Sequence, residues 1–62
     1  MKYFKYYVFG YYGETLATMN GFNNIADARD LVRGQKKYCA YTTIEICQIS
    51  CVRSKLIERY EE

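Results

Sequence analysis

One stretch of this chain carries a full set of helix signals, and it is short. Asn24 can cap it, because its side-chain oxygen accepts from a free N–H in the first turn. Asp27, three residues on, resembles the second half of a capping box and places negative charge at the positive end of the helix dipole. Ile25, Ala28, Leu31 and Val32 then fall on one face, with Arg29, Asp30 and Arg33 behind them. Gly34 reads as the stop. The pattern predicts a helix over Ile25 to Arg33.

The segments around it are strand-like. Tyr3 to Phe9 is rich in aromatics and valine, which suit a pleated surface. Gly10-Tyr11-Tyr12-Gly13 reads as a hairpin tip, and Thr15 to Met19 as the returning strand. Asn20-Gly21 is a turn signal. After the helix, Tyr41 to Ile49 is dense in β-branched residues. Ile44 and Ile46 alternate with Glu45 and Cys47, so the isoleucines should face the helix. Ile49 breaks that alternation, which a β-bulge near Cys47-Gln48 would explain. Val52-Arg53 reads as a turn, and Ser54 to Tyr60 as a fourth strand, with a C-terminal helix as the competing reading. The expected fold is α+β: β-β-α-β-β, a four-stranded antiparallel sheet of order 2-1-3-4 with one helix packed on one face. Its 62 residues leave room for a single domain spanning 1–62.

So short a helix can shelter one side of such a sheet, not both. If Phe4, Tyr6 and Val8 face the helix, then Tyr3, Lys5, Tyr7 and Phe9 face the other way. Glu45 and Cys47 join them from the third strand. Eight tyrosines against three phenylalanines make the aromatic content amphipathic, which suits a half-wet contact surface. An apolar patch of this kind on a small soluble domain reads as an interaction site for a protein partner, or as the face of a homodimer. The expected contact residues are Tyr3, Lys5, Tyr7 and Phe9, followed by Tyr11 and Tyr12 on the hairpin tip.

Catalytic patterns are thin. The chain has no histidine, so no Ser-His, Cys-His or histidine–metal arrangement can form within it. Glu45 and Glu58 could be drawn as paired carboxylates across the last hairpin, but Arg59 or Lys55 could pair with them. A zinc site would need Cys39, Cys47 and Cys51 plus a carboxylate or a second subunit, and buried structural thiols are the simpler expectation. The reading is therefore not an enzyme, with no metal and no cofactor.

Nucleic acid is the rival partner. Sheet aromatics stack on single-stranded bases, and Arg29, Arg33, Lys36 and Lys37 form a basic cluster toward the end of the helix. Against this, nine basic and seven acidic residues give a net charge of only +2. The odd cysteine count favours a reducing compartment, and no run approaches membrane-spanning length. Lys5 interrupts the apolar opening, and no small-residue cleavage site follows it. A cytoplasmic protein with no membrane association is expected.

The tyrosine-rich opening strand, the helix NIADARDLVRG after a hairpin and the closing KLIERYEE together resemble small phage and prophage proteins of about this size. The resemblance spans the whole chain. It implies a compact α+β module that acts as a stoichiometric inhibitor or adaptor of a host protein, in the host cytoplasm.

Overall fold

The computed structural model describes residues 5–50 and 53–61. The order is β1 (Tyr6–Tyr12), β2 (Thr15–Phe22), α1 (Ile25–Tyr38), β3 (Thr43–Ile49) and β4 (Ser54–Glu61). The strands form one sheet of order β2-β1-β3-β4, antiparallel at every junction. The expected α+β topology is the observed one, and the last segment is a strand.

Side-chain alternation builds the core. Val8 lies opposite Ile46 between β1 and β3. Both are fully buried, with Ile44 beside them and Ala28 and Val32 coming down from the helix. Tyr6, Phe22, Ile25, Leu31, Tyr41, Ile57 and Tyr60 pack around this centre. Asn24 caps the helix as its sequence suggests, accepting from the Asp27 amide at 3.1 Å.

The helix is longer than expected. It continues through Gly34 to Tyr38, with Lys36 and Lys37 in its last turn. Glycine in a helix costs about 1 kcal/mol relative to alanine. The longer helix keeps Gln35 on the buried face one turn beyond Val32 and sets Lys36 and Lys37 at the negative end of the helix dipole, where cations are favoured. Gly34 does not adopt the left-handed conformation of a stop residue; among the described residues only Gly13 has a positive φ, 62°.

The strand ends also move. β1 runs on to Tyr12, and the hairpin turn is Gly13-Glu14, so Tyr11 and Tyr12 are strand residues, not the tip. Gly10 stays in the strand because a side chain there would collide with Thr18 and Tyr41. β2 runs through Asn20-Gly21 to Phe22, so that pair makes no turn. β3 begins at Thr43, two residues later than its composition suggests. The predicted bulge sits on the other strand. β3–β4 pairing shifts between Ile46 and Cys47, whose partners are Glu58 and Leu56, so the extra residue is Ile57 of β4. β3 itself alternates without a break, which puts Ile49 on the Cys47 side. Val52 lies outside the described residues, as do Tyr3, Phe4 and Cys51. The Arg53 end of the last loop is tied to Ser50, whose amide and hydroxyl both donate to the Arg53 carbonyl at 2.9 Å.

Candidate functional site: the sheet face away from the helix

Directly opposed residues on neighbouring strands project to the same face. The pairing therefore maps the side of the sheet that α1 does not cover. One row runs Met19, Phe9, Glu45, Arg59; the next runs Gly21, Tyr7, Cys47, Leu56; a third runs Leu16, Tyr11, Thr43, Glu61. None of these residues is buried. Leu16, Met19 and Leu56 are 49%, 59% and 48% exposed. The Tyr7 and Phe9 rings lie 6.2 Å apart at an interplanar angle of 20°.

The expected facing of β1 holds for the described residues. Tyr6 and Val8 turn to the helix, Tyr7 and Phe9 away from it, with Glu45 and Cys47 as neighbours. Tyr11 belongs to this face as well. Tyr12 does not: it alternates to the helix side, where its ring lies 5.0 Å from Tyr41. Lys5 is exposed just before β1, and its carbonyl accepts from the Ile49 amide. Tyr3 lies outside the described residues.

Among the described residues, the ion pairs on this face lie at one end. Glu45 pairs with Arg59 at 3.3 Å, and Arg59 also reaches Glu61 at 3.2 Å. Tyr11, Gly13, Glu14, Thr43, Glu45 and Arg59 line a shallow concavity of about 320 Å³ there. Burial, then the Glu45 charge, holds the Tyr11 phenol above its ordinary pKa. Burial and Glu45 likewise push the Cys47 thiol up. It stays protonated at neutral pH, which suits packing and not nucleophilic attack. Cys39 corrects the expectation of buried thiols, since it is exposed at the end of α1. Among the described residues no cluster of three or more His, Cys, Asp or Glu could hold a metal ion, and no helix is long and apolar enough to cross a membrane.

Glu45 and Glu58 do not form a carboxylate pair, because the sheet separates them. Glu58 lies opposite Ile46 on the helix side, where Arg29 Nη2 approaches its Oε1 to 2.6 Å and Tyr60 donates to Oε2. The hydrogen bond from Arg29, then that from Tyr60, holds the Glu58 carboxyl below its ordinary value of 4.5. A depressed carboxylate stabilises the fold fully above its unfolded pKa and loses that contribution as pH falls through the folded value. The thermal midpoint is therefore expected to fall as pH drops below about 4.5. Arg29→Ala should flatten that acid-side slope. The Arg29 side chain is half exposed, so solvent screens the pair and the expected effect is a small shift of the midpoint in melts recorded across the acid range.

The basic cluster is on that same helix side. Arg29 is engaged by Glu58 and Arg33 by Asp30 at 3.2 Å. Lys36 Nζ sits 4.8 Å above the Tyr60 ring, and Lys37 Nζ 5.4 Å from that of Tyr38. The aromatic strip of β1 and these four cations thus occupy opposite sides of the sheet and do not make one surface.

Leu16, Met19 and Leu56 belong to the exposed face without having been singled out from the sequence, and Arg59, expected there only as a partner for the glutamates, joins them beside Glu45. Their facing depends on two irregularities, an extra residue at Ala17 in β2 and one at Ile57 in β4. Either irregularity reverses the alternation beyond it.

No protein-family model, curated protein or solved structure matches this chain.

Proposed function

We propose that this chain is a small, non-catalytic protein-binding module that uses the uncovered face of its sheet. The observation that carries the reading is the inequality of the two faces. One packs five fully or nearly buried apolar residues against or within the helix layer. The other presents Tyr7, Phe9, Tyr11, Leu16, Met19 and Leu56 with no layer above them. Aromatic side chains on a rigid strand make good contact anchors, because they bring large area at small entropic cost. The likeness to small phage proteins fits a stoichiometric inhibitor or adaptor. Single-stranded nucleic acid gains less support, since phosphate-binding cations would need to share the aromatic face and the four candidates lie behind it.

The test is capture of a partner from host lysate by the wild-type chain and by Tyr7→Ala. Tyr7 is half-buried outside the core, so the variant should fold with a near-native circular dichroism spectrum. Its affinity for the captured protein should fall about tenfold or more, as for an interface anchor. Equal affinity of the two chains, measured by calorimetry, would place the binding surface elsewhere.

A further inference from the structure

Two strands end this sheet, and they are built differently. β4 carries Lys55, Glu58, Arg59 and Glu61, which blunt an edge against pairing with another chain. β2, Thr-Leu-Ala-Thr-Met-Asn-Gly-Phe, carries no charge and no proline. Its extra residue at Ala17 interrupts the near end, leaving Thr18–Phe22 as a regular run.

The main chain of that run can be followed residue by residue. The carbonyls of Lys5, just before β1, and of Tyr11 within it accept from the amides of Ile49 and Thr42, on the β3 side. Main-chain groups of an antiparallel strand turn to alternate neighbours along the chain. The even-numbered Tyr6, Val8 and Gly10 therefore exchange hydrogen bonds with Phe22, Asn20 and Thr18. Met19 and Gly21, between them, aim N–H and C=O outward from the sheet.

We propose that Thr18–Phe22 pairs antiparallel with the same segment of a second copy, about a twofold axis at Asn20. In this register Met19 lies opposite Gly21 of the other copy, and each such pair exchanges two hydrogen bonds, four in all. Asn20 meets its own copy at a non-hydrogen-bonded position, where side chains come closest. A carboxamide is self-complementary there, donor to acceptor, whereas a charged residue would face its like. The absence of charge from β2 is what self-pairing demands and what a basic or acidic peptide partner would not require. Met19 extends over a glycine that leaves room for it. The axis stands perpendicular to the sheet, so both helices lie on one side and the two uncovered faces join into one eight-stranded surface.

So small an interface gives a weak dimer, with Kd on the order of tens of micromolar. Sedimentation equilibrium of the full chain, with reductant present so that cysteines cannot link, tests it. The wild type should pass from monomer to dimer with concentration. Asn20→Lys sets like charges against each other at the axis, and Met19→Pro removes an outward N–H while sparing the bond to β1. Each should weaken association about tenfold or more, equivalent to about 1.4 kcal/mol. Ser54→Lys on the β4 edge should leave it unchanged. Circular dichroism reports whether each variant folds, and either β2 variant suffices. A wild type that stays monomeric to about 1 mM, or a dimer indifferent to the folded β2 variants, overturns the proposal. Neither result touches the partner-binding reading of the sheet face, which capture with Tyr7→Ala decides separately.

Discussion

Ile46→Ala is expected to destabilise the fold by about 2–5 kcal/mol, enough to leave much of the chain unfolded at room temperature. Ile46 is 0% exposed and lies opposite Val8, also 0% exposed, at the centre of the packed layer. Truncation removes three carbons and leaves a cavity between sheet and helix that the remaining side chains fill only in part. A single core in a domain of this size rarely supplies more than about 3–5 kcal/mol of net stability. Urea denaturation followed by circular dichroism reads the loss. Leu56→Ala, also in the sheet but half exposed on the uncovered face, should change stability by less than about 1 kcal/mol. A large cost at Leu56 would mean that the uncovered face is packed after all.

Gly10→Val should cost about 1–3 kcal/mol through overpacking, although valine is the better strand residue. A Cβ at Gly10 would lie 2.8 Å from Thr18 Oγ1 and 3.2 Å from the Tyr41 ring. Neither neighbour gives way easily. Thr18 is the directly opposed residue on β2, its hydroxyl oxygen is buried, and a β-branched side chain has few rotamers to retreat to. Tyr41 is held between the core and the Tyr12 ring. Thermal melts of the variant test this, and an unchanged midpoint would show that the hairpin tolerates the displacement.

These two sites show what was legible in the sequence and what was not. Alternation of Ile44 and Ile46 with Glu45 and Cys47 reads directly as facing, because the period of a strand is two. The Asn24 cap is equally local. Both expectations needed only neighbours a few residues apart. Gly10 and Gly34 misled. Each carries a strong local signal for a break, yet each lies inside an element. At Gly10 the cause is distant, since Thr18 and Tyr41 need the space a side chain would fill; at Gly34 the helix runs on through open surroundings to a last turn that carries Lys36 and Lys37. Register was the other hidden quantity. Nothing in Leu-Ala-Thr or Leu-Ile-Glu announces an extra residue at Ala17 or Ile57, and without those two the apolar additions to the exposed face cannot be placed. Arg29–Glu58 joins helix to edge strand across 29 positions, a distance at which no spacing rule applies.

The binding account rests on a sheet that is greasy where nothing covers it. Amide chemical shifts of the labelled chain, recorded while the captured partner is added, locate the contact directly. The account predicts that the largest changes fall on Tyr7, Phe9, Met19, Cys47 and Leu56, with the outer turns of α1 near their free positions. Changes concentrated on Arg29, Arg33, Lys36 and Lys37, with those five sheet residues unmoved, would contradict it.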